Sequence, residues 1–422
     1  MSIRPRNKRF AAAIVAAGVL AAGPALGESL PPDVKGDPAP GTRLRVDPDN
    51  LPEPYAGESV ANPPRTVARD GRRPRAPEGF EVTLFADGLD HARWLTVADN
   101  GDVFLAESDA GKITLLRDAN GDGRADTVKP FATGFNTPTG MVIHDGHFYV
   151  ADLDGIWRFP YSPGADAPAG ERRRITPRGA FGGPGGHWTR TLTLGPGNET
   201  FYVGIGSRGN LAVEPAPRAT IKAFPVEGGS GVVFASGLRN PVGVAFRPGT
   251  DDLYTVVNER DGLGDALVPD YLTRVVKGGF YGWPYAYLDG RPQPGFADKA
   301  PAKVEATRMP DLLFRAHSAP LGLVFPTAGV LPGKWAGGAY VALHGSWNAQ
   351  RPRGYMVVHV PFEDGAPRGD YRVFLSGFRV DGGTRARVWG RPVGLAEAPD
   401  GALLVADDTG QTVWRVAPAD AP

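Results

Sequence analysis

The sequence predicts an all-β fold, a six-bladed β-propeller built from four-stranded antiparallel blades. The main observation is a local pattern, a turn containing Gly, Asp or Asn followed by a short apolar strand, which recurs at 100–106, 145–151, 197–203, 250–255, 337–342 and 400–406. No long amphipathic helical pattern separates these strands. Their spacing of roughly 45 to 85 residues suits four-strand units with variable loops around an axis. The spacing alone leaves five or seven blades open.

The chain divides into three predicted segments. Residues 1–27 indicate an export signal, because the basic Arg4–Arg9 stretch precedes an apolar run, Phe10–Ala22, that is short for a membrane span. Residues 28–77 are rich in Pro, Asp, Arg and Gly and predict an extended arm. Residues 78–422 form the predicted propeller. A periplasmic or secreted protein without a membrane span follows if the signal is cleaved, and an uncleaved anchor is the alternative.

The predicted ring needs a closing strand. A strand near Glu81–Phe85 is expected to pair with the last blade, which ends at Trp414–Val416.

Composition excludes several classes of function. The 46 basic and 46 acidic side chains cancel, so no overall field attracts nucleic acid. The absence of cysteine excludes disulfides, thiolate metal sites and covalent haem attachment. Any redox group must therefore bind non-covalently and pass its electrons to another molecule.

Two further motifs are candidate ligand-binding loops, and the evidence for the second is stronger. Gly204–Gly209 matches a dinucleotide-binding fingerprint in letters, but no helix follows it, so nucleotide binding is not expected. A second loop resembles the first half of an EF-hand and offers four candidate calcium ligands, Asp118, Asn120, Asp122 and Asp126. The twelfth position carries Lys129 instead of the expected Glu, and an acidic hairpin turn is the alternative.

Three segments carry candidate chemistry. His187 follows the glycine-rich run 182–186 and could act as a general base near neutral pH. Arg239 and Asn240 precede a predicted strand, where a guanidinium can stabilise an oxyanion. The loop 258–261 offers oxygens to a hard cation. Each residue taken alone also has an ordinary structural interpretation.

These segments occur in a recognisable order. The motifs are Gly186-His187, Leu238-Arg239-Asn240-Pro241, Lys277–Pro284, His344–Asn348 and Gly390–Leu395. Together, from Pro77 to Val416, they resemble the glucose/sorbosone dehydrogenase family that depends on pyrroloquinoline quinone (PQQ), in its sorbosone and pyranose dehydrogenase branch. The resemblance implies PQQ and Ca²⁺ as cofactors, a sugar or sugar-aldehyde substrate, and a cytochrome, quinone or dye as external electron acceptor.

The resemblance also implies roles for residues. His187 would be the catalytic base, with Arg239 at the quinone carbonyl that accepts the hydride. Further cofactor contacts are expected from Asn240, Asp270 and Arg391. Backbone carbonyls in Glu259–Arg260–Asp261 would hold calcium. Asn136 and Trp188 are expected on the substrate side.

The chain departs from the family pattern at the cofactor carboxylates. Val393 stands where a second arginine is expected, and the loop that should carry a lysine contains His344–Asn348. We expect the missing contacts to come from His344, Asn348, Arg351 or Arg353. Two alternatives stay open. One is a calcium-dependent propeller lactonase that uses Glu107, Asn240 and Asn258, and the other is a non-catalytic binding propeller.

Overall fold

The computed structural model describes residues 37–381 and 383–419. The predicted export signal at 1–27 and the first part of the predicted arm lie outside these residues. The described chain is nearly all β-structure, arranged mainly in six antiparallel sheets of four or five strands. The first sheet contains Ala92–Val97, Val103–Glu107, Lys112–Arg117 and Thr127–Thr133. The second contains Gly140–His144, His147–Ala151, Ile156–Pro160 and Arg173–Arg174. The third contains Leu192–Leu194, Thr200–Ile205, Thr220–Pro225 and Val232–Ser236.

The remaining three sheets follow in chain order. The fourth contains Pro241–Phe246, Leu253–Val257, Tyr271–Arg274 and Leu312–Leu313. The fifth contains Pro320–Val324, Ala339–Leu343, Met356–Val360, Tyr371–Leu375 and, at its edge, Arg43–Leu44 from the arm. The sixth contains Pro392–Glu397, Leu403–Asp407, Thr412–Pro418 and, from the start of the body, Phe80–Ala86.

The recurring turn-and-strand pattern forms strands in the structure, as predicted. Each of its six copies forms the second strand of a sheet, beginning with Val103–Glu107 and ending with Leu403–Asp407. Apolar residues in these strands are buried on both faces, because each sheet packs between two others. The expected closing strand is also present, since Val82 pairs with Val416 and Leu84 with Trp414 in antiparallel register.

The six sheets form a closed ring. The first strand of each sheet, here called the inner strand, contacts the inner strands of both neighbouring sheets, and the sixth sheet contacts the first. Six hydrophobic clusters fill the spaces between consecutive sheets, and the cluster around Trp389 and Trp414 joins the fifth sheet to the sixth. This is the arrangement of a β-propeller, in which every sheet buries both of its faces.

Glycines in the inner strands allow the sheets to converge. A Cβ atom on Gly322 would lie 2.1 Å from the Val393 carbonyl oxygen of the next inner strand. A Cβ on Gly394 would lie 2.4 Å from the Arg93 carbonyl oxygen. Neither distance is compatible with a side chain, so the close approach at the ring centre requires glycine at these positions.

The arm runs along the outside of the ring. Arg43–Leu44 pairs with the edge of the fifth sheet, and Arg65–Thr66 lies parallel to Arg387–Val388. That last strand also pairs with Arg379–Asp381. The buried Asp37 carboxylate accepts hydrogen bonds from the Arg379 side chain and from two backbone N–H groups.

Short elements complete the described chain. The helical segments are one α-helical turn, Pro301–Glu305, and three 3₁₀ turns, Pro48–Asn50, Ala297–Lys299 and Gly333–Trp335. Two small hairpins pair Ala286–Tyr287 with Arg291–Pro292 and Phe362–Glu363 with Ala366–Pro367. Within the described ranges, no helix has the length and apolar character needed to cross a membrane.

Candidate active site

Polar side chains collect at one end of the ring because of the strand order. Each inner strand is antiparallel to the second strand, so the residues before the inner strand lie beside those that follow the second. Arg239 and Asn240 precede the inner strand of the fourth sheet, and Glu259 follows its second strand. Arg391 and Asp408 hold the same two positions in the sixth sheet. Chemistry-bearing residues far apart in sequence therefore meet.

A cavity of about 590 Å³ opens at this end. That volume lies within the usual range for small-molecule sites. Charged and polar side chains dominate its lining, with guanidinium groups, imidazoles and carboxyl groups all present. The lining includes His91, Arg93, His187, Trp188, Arg239, Asn240, Asn258, Glu259, Asp261, Asp270, His317, His344, Trp347, Asn348, Arg391 and Asp408.

His187 is held as a neutral imidazole. Its Nδ1 lies 2.9 Å from the Ser207 carbonyl oxygen, which can only accept, so Nδ1 carries the proton and Nε2 keeps a free lone pair. Burial, reinforced by the nearby Arg239 charge, lowers the pKa of His187 to about 4. Gly206 makes room for the ring, because a Cβ there would lie 2.5 Å from His187 Cβ. The site therefore contains an uncharged base at neutral pH.

Arg239 is buried and fixed by the backbone. Its Nη1 donates to the carbonyl oxygens of Glu259 and Asn258 at 2.8 and 3.1 Å. Its Nη2 lies 3.4 Å from Asp261 Oδ2. These contacts leave the guanidinium little freedom, so its positive charge is preorganised at the cavity wall.

Three carboxyl groups on the same side have different electrostatics. Burial raises the pKa of Glu259 to about 7 and that of Asp270 to about 6. Burial also acts to raise the pKa of Asp261, but His317 and Arg239 outweigh it and the pKa falls below its usual range. Asp261 is therefore an anion at neutral pH. Glu259, with a pKa of about 7, is there partly protonated.

A second cluster links the fifth, sixth and first sheets through Asp408. His344 Nε2 lies 3.0 Å from both Asp408 carboxylate oxygens, and Arg93 forms a short ion pair with the same group. Burial acts to raise the pKa of Asp408, but His344, Arg93 and Arg391 together hold it well below its usual range. Arg391 donates to the carbonyl oxygens of His344 and Gly345 at 3.0 and 2.8 Å.

The cavity brings together most of the residues that the sequence singled out. Its lining includes His187, Trp188, Arg239, Asn240, Glu259, Asp261, Asp270, His344, Asn348 and Arg391. The lining does not include Asn136, Arg260, Arg351 or Arg353. Arg353 binds Asp265 instead, and exposed Asn136 contacts Asp152 and Asp154.

The Asp118 loop lies away from this cavity. The carboxylates of Asp118, Asp122 and Asp126 accept hydrogen bonds from backbone N–H groups of their own turn. Throughout the described chain, no three His, Asp or Glu side chains are grouped closely enough to hold a metal ion. Calcium binding in this loop stays a prediction.

Sequence reasoning missed several residues of the cavity. The largest omissions are Arg93, Asp408 and His317, none of which belongs to a quoted motif. A usable signal existed for two of them. Arg93 lies at the start of the first inner strand, and Asp408 directly follows the second strand of the sixth sheet, which contains the sixth copy of the recurring pattern.

Comparison with family models identifies the relatives of this chain. A model described as TrAA12-like matches residues 74–269 and 291–419, which is most of the chain. A second model, Glucose / Sorbosone dehydrogenase, matches residues 219–351. The chain belongs to the TrAA12-like family of PQQ-dependent sugar dehydrogenases. The resemblance expected from the sequence motifs is thus confirmed.

Individual relatives are distant. A pyrroloquinoline quinone-dependent pyranose dehydrogenase from Coprinopsis cinerea is 28% identical over 406 residues. The match covers 80% of this chain but 54% of that protein, so the chain spans about half of its relative. An uncharacterized protein from Borreliella burgdorferi is 25% identical, with 81% of this chain and 90% of that protein covered.

Solved structures support the fold. The holo form of the PQQ domain of the Coprinopsis cinerea pyranose dehydrogenase has a TM-score of 0.68 at 24% identity, covering 85% of this chain and all of that one. A calcium structure of the Trichoderma reesei family AA12 enzyme has a TM-score of 0.66 at 21% identity, covering 86% and 99%. The PQQ-bound aldose sugar dehydrogenase of Streptomyces coelicolor has a TM-score of 0.56 at 17% identity, covering 81% and 99%.

The residues present fit a planar, multiply anionic cofactor. Arg93, Arg239 and Arg391 place three guanidinium groups on the cavity wall. Some buried polar atoms of the lining, among them Arg93 Nε and Asn240 Oδ1, have no hydrogen-bond partner, as expected where a ligand would supply one. The family pattern expects a second arginine where this chain has Val393. Arg93 provides a positive charge that Val393 cannot.

The cavity wall offers oxygen ligands for calcium, but fewer unengaged backbone carbonyls than the sequence predicted. The Glu259 carbonyl accepts from Arg239, and the Asp261 carbonyl accepts from Asn210 and Arg260. The carboxyl groups of Glu259 and Asp261 remain as oxygen ligands of the kind that calcium prefers. A calcium ion at this wall would need further oxygens from a bound cofactor or water.

Proposed function

We propose that this protein is a six-bladed, exported propeller that oxidises aldose sugars or sugar aldehydes with PQQ and calcium. The observation that supports it best is the convergence of His187, Arg239, Arg93 and Arg391 on one cavity. A neutral base beside several fixed guanidinium groups suits the removal of a proton from a hydroxyl while negative charge develops nearby. PQQ supplies the two-electron acceptor chemistry when it is bound.

The residues of the chain have separate tasks in this proposal. His187 Nε2 accepts the proton of a sugar hydroxyl or an aldehyde hydrate, and its Nδ1–H bond to Ser207 keeps the ring oriented. Arg239 stabilises developing negative charge, while Arg93 and Arg391 bind carboxylates of the cofactor with His344 and Asn348. Glu259 and Asp261 would contribute carboxylate oxygens to a bound calcium ion. Trp188 and the half-exposed Trp347 offer aromatic faces to the sugar ring.

The proposed lactonase alternative is less well supported. Asn240 and Asn258 line the cavity, but Glu107 does not. Glu107 accepts hydrogen bonds from the Asp90 backbone and Thr114 and pairs with Lys112 at 3.3 Å, all around the first sheet. The three oxygens that a lactonase cation would need are therefore not gathered.

The deciding experiment is reconstitution of the purified protein with PQQ and calcium, followed by dye reduction with aldoses, sorbosone-like aldehydes and simple alcohols. We expect PQQ-dependent reduction with sugars and no hydrolysis of lactones. His187→Ala should lower turnover by about 100- to 10,000-fold and leave PQQ binding, measured by equilibrium titration, close to that of the native protein.

The half-buried His147 lies outside the cavity lining, with its Nδ1 2.7 Å from the Asp145 carbonyl oxygen, and offers a matched control. His147→Ala should retain full activity. Near-normal turnover of His187→Ala would contradict the role of the base, and absence of PQQ binding in the native protein would contradict the proposed function.

A further inference from the structure

The arm contacts the rim of the cavity, although it precedes the region matched by the family model, which begins at residue 74. The Tyr55 N–H donates to the Leu263 carbonyl at 2.7 Å. The Asn62 N–H donates to the Trp347 carbonyl at 2.8 Å. Segment 55–62 therefore touches two loops, one after the second strand of the fourth sheet and one after that of the fifth.

Asn62 makes the most extensive of these contacts. Its side-chain Nδ2 donates to the Ala349 carbonyl at 2.7 Å and also to the Thr384 carbonyl. With its backbone N–H on Trp347, Asn62 holds the loop on both sides of Asn348. Asn348 Nδ2 in turn donates to Asp261 Oδ1 at 2.7 Å. A short chain of hydrogen bonds thus leads from the arm to a carboxylate inside the cavity.

The two rim loops are also tied to each other beneath the arm. Asp265 Oδ1 accepts from the Gln350 N–H at 2.6 Å, and the Asp265 carbonyl accepts from Arg353 Nη1 at 3.1 Å. The arm packs on this junction closely, because a Cβ on Gly264 would lie 3.0 Å from the Gly57 carbonyl oxygen. The arm and the two loops form one packed unit.

Trp347 shows what this unit presents to solvent. Its side chain lines the mouth of the cavity, yet the residue is 48% exposed. An exposed ring on a loop would ordinarily sample several orientations, at a cost in affinity for any ligand that requires one of them. Here the Trp347 carbonyl accepts a hydrogen bond from the Asn62 N–H. The carbonyl of the preceding residue, Ser346, accepts one from the Tyr355 hydroxyl. The backbone that carries the ring is fixed from both sides.

We propose that Asn62 is a positioning residue of the site, through which the arm holds the loop 345–350, and with it Trp347, in the arrangement that receives the sugar. The nature of the ligand rests on the proposed function, but the restraint of the loop does not. Because Asn62 touches neither His187 nor Arg239 in this structure, its contribution is to substrate affinity and not to the chemical step.

The test compares Asn62→Ala with Asn50→Ala. Asn50 is a matched control in the same arm, since its Nδ2 donates to Asp47 and not to a rim loop. Deuterium exchange of the 345–350 amides, measured without cofactor, should accelerate on the order of fivefold in Asn62→Ala and stay unchanged in Asn50→Ala. In the reconstituted enzyme, KM for the sugar should rise about three- to tenfold, with kcat within about twofold of the native value.

Gln350→Ala serves if Asn62→Ala folds poorly. Gln350 Nε2 donates to the Glu58 carbonyl at 3.2 Å, so its loss weakens the same contact and should shift exchange and KM in the same direction by a smaller factor. Native exchange rates in Asn62→Ala, or faster exchange with an unchanged KM, would overturn the positioning role. A native protein that oxidises no sugar would contradict the proposed function, and the exchange experiment would still decide whether the arm restrains the loop.

Discussion

His187 illustrates how a single residue acquires its chemistry from burial and one neighbour. A histidine in water titrates near pH 6.5. Burial and then the Arg239 charge lower the pKa of His187 to about 4, so the imidazole stays neutral through the range in which most enzymes operate. Protonation removes the free lone pair on Nε2. Protonation of His187 should therefore lower kcat/KM only as the pH approaches 4 from above. A loss of kcat/KM between about pH 5 and 7 should instead reflect protonation of Glu259 and Asp270, whose pKa values are about 7 and about 6.

Arg239→Gln should separate these two causes. Removal of the guanidinium removes the second-largest influence on the imidazole, so the pKa of His187 should move upward, towards its ordinary value. NMR titration of the His187 ring in the cofactor-free protein measures this change directly. Turnover should fall about 100-fold, because a preorganised charge is lost. Arg247→Gln is the control, since Arg247 pairs with Asp252 on the fourth sheet; an unmoved His187 pKa in Arg239→Gln would contradict the assignment of cause.

The sequence predicted a cavity residue only where that residue belongs to a motif of the family. His187, Arg239 and Arg391 each lie in a short segment with a strong family resemblance. Arg93 and Asp408 do not, and their importance arises from ion pairs between the first and sixth sheets, which no local pattern records. Arg353 shows the opposite error of local reasoning. It is close in sequence to the site loop, but its guanidinium turns to Asp265.

The inner strands form the element on which the ring geometry depends. Gly322→Ala should lower the free energy of unfolding by about 1–3 kcal/mol, because the new methyl group meets the Val393 carbonyl of the neighbouring backbone. Gly197→Ala is the matched control, since a Cβ there has no atom within 4 Å. Urea denaturation measures both. Equal stability of the two variants would show that the inner strands have room to separate.

The sequence predicted those strands that are specified by their own residues and by the turns before them. The second strands follow Gly-, Asp- or Asn-containing turns and bury both faces, so sequence alone located all six. The contacts of the arm could not be foreseen, because residues 55–62 show no periodicity and are placed by backbone hydrogen bonds to loops some 200 to 290 positions away.

The whole molecule is stabilised by the apolar interfaces between consecutive sheets of the closed ring. Trp414 is fully buried between the fifth and sixth sheets and contacts Trp389 at 5.9 Å between ring centroids. Trp414→Ala should lower the free energy of unfolding by about 3–5 kcal/mol. Because each sheet depends on two neighbours, the loss should displace one cooperative transition in calorimetry. Two separated transitions would mean that the sheets unfold independently.

The sixth sheet has a consequence for how the protein is made. It combines residues 80–86 with residues 392–418, so its first-synthesised strand waits for partners that emerge from the ribosome more than 300 residues later. During that interval the apolar faces that flank the gap have no cover and favour association with other chains. The ring can therefore close only after the last strand, Thr412–Pro418, has left the ribosome.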